Sequence, residues 1–86
     1  MKLPVIKSLV EFIEQNDEDF VLESLEVLEH LAQAKGLTDE EIIVIGELIS
    51  NMYGSIEVKK AMKEGQSQKD ALNGFMKRVM GSIDKK

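Results

Sequence analysis

Hydrophobic residues recur at intervals of three and four along almost the whole chain, and this spacing predicts amphipathic helices. The first helix is predicted to begin at the only proline, Pro4, whose fixed φ angle suits a first helical turn, and to run to about Gln15. Its apolar side consists of Val5, Ile6, Leu9, Val10, Phe12 and Ile13.

The second helix is predicted from about Glu18 to Lys35, after a polar turn that offers N-cap residues. Gly36 stands where helices commonly end in a left-handed conformation. The central stripe of this helix consists of Val21, Leu25, Leu28 and Ala32, flanked by Phe20, Ser24 and Leu31.

The third helix has the clearest start signal in the sequence, a capping box formed by Thr38 and Glu41. From Asp39 the helical pattern continues toward Glu64, and Gly54 can either split this segment or lie within one unbroken helix. The apolar residues expected on one face are Ile45, Leu48, Ile49, Met52 and Ile56.

A fourth helix is predicted after Gly65, with a second capping box at Ser67 and Asp70, and runs to about Ile83. Its stripe consists of Leu72, Phe75, Met76, Val79 and Ile83. Short connections favour antiparallel neighbours, so the sequence predicts an all-α, up-and-down bundle of four helices in a single domain over residues 1–86, or five helices if Gly54 breaks the third.

Composition restricts the chemistry that the chain can support. With 86 residues the chain can bury one hydrophobic core, and its apolar fraction of 43% argues against disorder. The absence of cysteine excludes disulfides, thiolate zinc sites and cysteine nucleophiles. No stretch approaches the roughly 20 apolar residues of a membrane span, and the N-terminal segment lacks the features of a secretory signal, so we expect a cytoplasmic protein.

The charge is distributed unevenly along the chain. Residues 1–50 carry 12 acids and 3 bases, net −9, whereas residues 51–86 carry 4 acids and 8 bases, net +4. Halves of opposite sign attract each other, either within one chain or between the chains of an antiparallel homodimer.

Residues for catalysis or metal binding are scarce. His30 is the only histidine, and helical spacing places it beside Glu23 and Glu26 on the polar face of the second helix. Without a second histidine or a nucleophile motif, neither a di-metal carboxylate centre nor a catalytic triad can be assembled. We therefore expect no enzyme activity, no cofactor and no metal.

Basic residues in the second half offer an alternative function, nucleic-acid binding, because phosphate contacts need clustered cations. The interleaved aromatic residues that often accompany such cations are missing, and the protein as a whole is acidic. The expected partners therefore include neither nucleic acid nor a membrane. The cations in question are Lys59, Lys60, Lys63, Lys69, Lys77 and Arg78.

Several positions do not fit the amphipathic pattern and are candidates for a partner interface. Leu22, Ile43 and Val44 lie off the apolar stripes of their helices, so either the third helix is buried on several sides or these side chains meet a partner. Gly74 and Gly81 form a flat strip on the fourth helix, which a neighbouring helix can approach or which has no role beyond weak helix propensity. The proposed interface set is Leu22, Ile43, Val44, Gly74, Lys77 and Gly81.

These features predict a non-enzymatic helical protein that forms a homodimer or binds another protein. A second hypothesis is a regulatory domain with a small-ligand pocket between the third and fourth helices, although core packing explains the same side chains. The predicted walls of that pocket are Met52, Tyr53, Met62, Met76 and Met80.

Three segments of the chain resemble a short, uncharacterised bacterial all-helical family. They are MKLPVIKSLVEFIEQNDEDFVLE, ELISNMYGSIEV and ALNGFMKRVMGSID, which together extend over nearly the whole sequence. The resemblance implies a stand-alone bacterial helical domain. It implies no activity, cofactor or functional residue.

Overall fold

The protein consists of four helices. The computed structural model describes the backbone of residues 2–84 and the side chains of residues 2–78. The helices are α1 (Leu3–Gln15), α2 (Asp19–Leu31), α3 (Asp39–Lys63) and α4 (Gln68–Asp84). No strand occurs in this described part of the chain, so the predicted all-α bundle of four helices is confirmed.

The long helix α3 lies at the centre and packs against each of the other three helices, which contact one another much less. α1 runs parallel to α3. At one end of this pair the Lys2 backbone N–H donates to Asn51 Oδ1 over 3.0 Å, and at the other end Lys59 Nζ lies 3.4 Å from Glu14 Oε2. α1 therefore covers α3 only from about Asn51 onward.

α2 runs antiparallel to α3. Near the start of α2, Glu18 Oε1 lies 3.9 Å from Lys63 Nζ, and further along, Glu29 Oε2 accepts a hydrogen bond of 2.7 Å from the Tyr53 hydroxyl. α4 turns back along α3 after a short connection, so successive helices alternate in direction as the sequence predicts.

Local signals define most of the helix ends. The Glu41 backbone N–H donates to Thr38 Oγ1 over 3.1 Å, and the Thr38 N–H donates to Glu41 Oε1 over 2.9 Å, which confirms the capping box at the start of α3. Gly36 and Gly65 have φ angles of 90° and 109°, a conformation that glycine adopts without steric cost. Both glycines stand at the predicted chain reversals.

The end of α2 differs from the prediction, because the helix ends at Leu31 and not near Lys35. Beyond it the backbone makes tight turns, in which the Gln33 N–H donates to the His30 carbonyl and the Ala34 N–H to the Leu31 carbonyl. The reason is that a short helix depends on its packed face. After the half-buried Ala32 all residues up to Gly36 are exposed, so burial does not extend the helix.

Gly54 does not interrupt α3, so the alternative with five helices does not apply. It lies at the point where α1, α3 and α4 come closest together. A Cβ atom at this position would lie 2.9 Å from Phe75 Cζ and 3.3 Å from Ile6 Cδ1. The glycine is therefore required by close helix packing, not by a bend in the backbone.

Two apolar clusters hold the helices together. The larger cluster joins α1, α3 and α4 and consists of Ile6, Val10, Val58, Ala71, Leu72 and Phe75. The smaller cluster joins α1, α2 and α3, and its buried residues are Ile13, Val21 and Leu25, against which Ile49, Met52 and Ile56 pack.

α3 packs along most of its predicted apolar face, through Ile45 and through Ile49, Met52 and Ile56, but it also buries a second face that its apolar residues do not predict. Leu48, expected in the core, is 43% exposed, whereas Asn51 and Ser55 are buried. These polar side chains have hydrogen-bond partners, since Asn51 also donates to the Glu47 carbonyl over 2.9 Å and Ser55 donates to the Met52 carbonyl over 2.7 Å. The small volume of Asn51 and Ser55 lets α1 approach α3 closely, so this polar face of α3 is packed in addition to the apolar one.

Candidate interaction surfaces

The first turns of α3 carry an exposed apolar surface, which we call the α3 patch and define as Ile43, Val44 and Leu48. These side chains are 64%, 57% and 43% exposed. α1 begins beside Asn51 and therefore does not reach them. The explanation that α3 is buried on several sides holds for its middle but not for this end.

A shallow cleft of about 520 Å³ adjoins the α3 patch where the connection from α2 enters α3. Apolar side chains contribute to its floor and carboxylates to its rim. It is lined by Leu37, Thr38, Glu40, Glu41, Val44 and Ile45. A cleft lined by apolar side chains and carboxylates suits an apolar side chain flanked by basic groups.

α2 carries a second apolar stripe beside its buried one, which we call the α2 stripe and define as Phe20, Val27 and Leu31. All three residues are exposed, and the Phe20 ring meets the Phe12 ring edge to face with 6.1 Å between centroids. The apolar pattern of α2 predicted Phe20 and Leu31 as flanks of the core and did not predict Val27. Their positions at i, i+7 and i+11, with Ser24 at i+4, were the available signal.

The predicted interface residues do not form one surface. Ile43 and Val44 lie together in the α3 patch, whereas Leu22, 39% exposed, lies on the side of α2 away from the α2 stripe. Gly74 and Lys77 are exposed on α4, and no atom lies within 4 Å of a Cβ built at Gly74. Gly81 lies outside the residues whose side chains are described.

Part of the charge asymmetry is satisfied within the chain. The basic end of α3 meets acids of α1 and of the following turn, through Lys59 with Glu14 and Lys63 with Glu18. Such exposed pairs contribute about 0–1 kcal/mol each. Within the described side chains, the following cations of α4 form no ion pair: Lys69, Lys77 and Arg78.

Tyr53 connects α3 to α2. Its hydroxyl donates to Glu29 Oε2, and this hydrogen bond, with smaller contributions from desolvation and the Glu29 charge, raises the pKa of Tyr53 above its ordinary value. The phenol therefore stays protonated to a higher pH than a free tyrosine does.

The five residues predicted to line a ligand pocket are dispersed. Met52 packs on the smaller cluster, Met62 and Met76 pack on the larger one, and the side chain of Met80 lies outside the described residues. The open cleft of about 560 Å³ that does lie between α3 and α4 has largely polar walls, namely Glu57, Lys60, Ala61, Glu64, Gln66, Ala71, Gly74, Phe75 and Arg78.

Neither a metal-binding group nor a membrane-spanning helix occurs among the described residues. His30 is exposed on α2, and no group of three or more His, Cys, Asp or Glu side chains among the described residues is arranged to hold a metal ion. Over the same part of the chain, every helix is too short or too polar to cross a bilayer.

Comparison with known proteins places the chain in a family. No curated protein and no solved structure matches it. The model of the Family of unknown function (DUF6952) matches residues 1–84, almost the entire sequence. The chain therefore belongs to this family of unknown function, in agreement with its resemblance to an uncharacterised helical family.

Proposed function

We propose that this protein is a non-enzymatic helical interaction domain that forms a homodimer. The observation that carries the proposal is the α3 patch, in which three neighbouring aliphatic side chains lie in solvent at the end of the central helix. Exposed apolar side chains grouped within two turns of a helix commonly mark a protein–protein interface.

The dimensions of the chain support the same proposal. Its accessible surface is 6198 Å², whereas the relation between area and mass gives about 5,100 Å² for a compact monomer of 9.7 kDa. Its radius of gyration is 13.9 Å, against about 12 Å for a compact domain of this length. A chain with excess surface gains stability by burying part of it against a partner.

Burial of the α3 patch favours association. Each fully buried aliphatic side chain contributes about 1.5–3 kcal/mol, and a two-fold axis would present the patch twice. The proposal includes a cytoplasmic setting in a bacterium. The absence of cysteine supports a reducing compartment, where disulfides are rarely used.

The test is the oligomeric state of the full chain and of two variants, Ile43→Lys and Val44→Glu, measured by sedimentation equilibrium and light scattering. We expect a wild-type dimer and a dissociation constant at least about tenfold higher for each variant, because a buried charge costs more than 1.4 kcal/mol. Ser8→Lys, at an exposed position of α1, controls for added charge and should dimerise normally.

Two outcomes would refute the homodimer. One is a wild-type chain that stays monomeric at every concentration, and the other is a dimer that both α3 variants leave unchanged. A Leu22→Lys variant measured beside them determines whether the exposed far side of α2 takes part in the same interface.

A further inference from the structure

We infer that the occupant of the α3 patch is the basic flank of α4 of a second copy, defined as Gly74, Lys77 and Arg78 beside the open cleft between α3 and α4, and that the contact is reciprocal, so that two identical interfaces form about a two-fold axis. This inference rests on the proposed homodimer and adds its arrangement. Its evidence is the charge that surrounds each of the two surfaces.

The α3 patch has an acidic border. Glu40 precedes Ile43 by three positions and Val44 by four, so its carboxylate lies beside both on the helix surface. Asp39 precedes Ile43 by four positions. Neither carboxylate forms an ion pair within the described side chains, and Glu40 also lines the cleft beside the patch.

The basic flank of α4 has the complementary charge and an open surface. Gly74, Lys77 and Arg78 stand at i, i+3 and i+4, so they are neighbours on the helix surface, and all three are exposed. No atom lies within 4 Å of a Cβ built at Gly74, which leaves room for a bulky aliphatic side chain from another helix. The two cations form no ion pair within the described side chains and can face Asp39 and Glu40 of the other copy.

Contact between the α3 patch and α4 of a second copy fits these charges better than contact between two α3 patches. Two α3 patches in contact would bring their carboxylates together, which disfavours that arrangement. Contact between an α3 patch and a basic flank of α4 leaves a second pair of unlike surfaces, and a two-fold axis satisfies both pairs at once. A dimer of this kind closes, whereas the same contact without the two-fold axis would extend into a filament, which sedimentation of the wild type would detect as larger species and which would overturn the reciprocal arrangement.

The decisive experiment is a charge exchange in the full chain. In one double variant Lys77→Glu is combined with Arg78→Glu, and in the other Asp39→Lys is combined with Glu40→Lys. Each variant alone should dimerise at least about tenfold more weakly than wild type, because like charges then face each other. An equimolar mixture should restore dimerisation, and native mass spectrometry should identify the restored species as the heterodimer.

Matched controls carry the same changes of charge elsewhere. Lys7→Glu with Lys69→Glu, and Glu23→Lys with Glu26→Lys, alter exposed positions outside both surfaces and should leave dimerisation close to wild type. Circular dichroism verifies that all variants fold. Because Asp39 and Glu40 lie in the first turn of α3, where carboxylates stabilise a helix, the milder pair Asp39→Asn with Glu40→Gln is included and should weaken the dimer less.

The outcomes separate this inference from the function on which it rests. A wild-type monomer overturns both. A wild-type dimer that responds to the two charge variants no more than to their controls overturns the reciprocal arrangement and leaves the homodimer standing. Weakening of both variants without restoration in the mixture also overturns it, since unlike surfaces would then not be paired with each other.

Discussion

The middle of α3 and its N-terminal end differ in what packs against them. At the middle, Ile6 of α1 packs beside Gly54 and is 0% exposed, whereas at the end Ile43 is 64% exposed. Both are isoleucines within helices. The difference teaches that burial here depends on which helix lies alongside, since α1 begins only at the level of Asn51.

The regions around the two apolar clusters also differ in how their helices are held together. The larger cluster has fully buried residues on three helices, and buried polar groups there have hydrogen-bond partners. The smaller cluster, on the side of α2, leaves neighbouring apolar residues in solvent. Both clusters therefore stabilise the monomer, but exposed apolar side chains border the smaller one.

The largest effect is expected from the same substitution made in both regions. Ile6→Ala should lower the free energy of unfolding by about 3 kcal/mol, because it removes buried methyl groups and leaves a cavity. Ile43→Ala should change it by less than about 0.5 kcal/mol, because the side chain is already hydrated. Urea denaturation at a concentration low enough to keep the chain monomeric measures both values.

Equal losses of unfolding free energy for Ile6→Ala and Ile43→Ala would contradict this contrast between the two regions. A loss at Ile43 that grows with protein concentration would instead sharpen it, because dimerisation adds stability that rises with the logarithm of the concentration of folded partner. Unfolding should therefore be measured at several protein concentrations in the same experiment.

A second, smaller effect comes from two glycines of the same helix. Gly54→Ala should lower the free energy of unfolding by about 1 kcal/mol, since overpacking against Phe75 and Ile6 exceeds the gain in helix propensity. Gly46→Ala should raise it by about 0.5–1 kcal/mol, because a methyl group there has open space. Thermal and urea unfolding of the two variants should move in opposite directions.

If Gly54→Ala stabilised the protein as much as Gly46→Ala, the three-helix junction would be looser than described. Gly54→Val then provides a stricter test, because its additional methyl groups and β-branching add to the same steric conflict.

The smallest effect concerns the hydrogen bond between α2 and α3. Glu29→Ala should lower the pKa of Tyr53 toward its ordinary value, because the hydrogen bond to Glu29 is the main cause that raises it. Tyr53 is the only tyrosine and the chain has no tryptophan, so the phenolate absorbance reports this residue alone. Glu26→Ala, at another exposed position of α2, should leave the titration unchanged.

The sign of the corresponding pH effect follows from linkage. Because the pKa of Tyr53 is raised in the folded state, its bond to Glu29 contributes fully below the pKa of an unfolded tyrosine, about 10. That contribution is lost as the pH rises through the folded pKa. The difference in unfolding free energy between wild type and Glu29→Ala should therefore shrink in strongly alkaline solution, and a difference that grew there would contradict the assignment.

The sequence by itself determined the features that depend on neighbours along the chain. The spacing of apolar residues predicted four helices, and Thr38 with Glu41 predicted the start of α3. Gly36 and Gly65 predicted the reversals after α2 and α3. These predictions succeed because caps, turns and helical periodicity are short-range interactions, complete within a few residues.

Only the tertiary structure decided how the helices share their faces. It made Gly54 a contact point between helices, buried Asn51 beside the start of α1, and left Leu48 and Val27 in solvent. A helix that touches three others has no single buried side, so its own periodicity does not identify the packed face. The relative positions of α1 and α3, set by contacts between residues distant in sequence, determine which apolar side chains remain free for a partner.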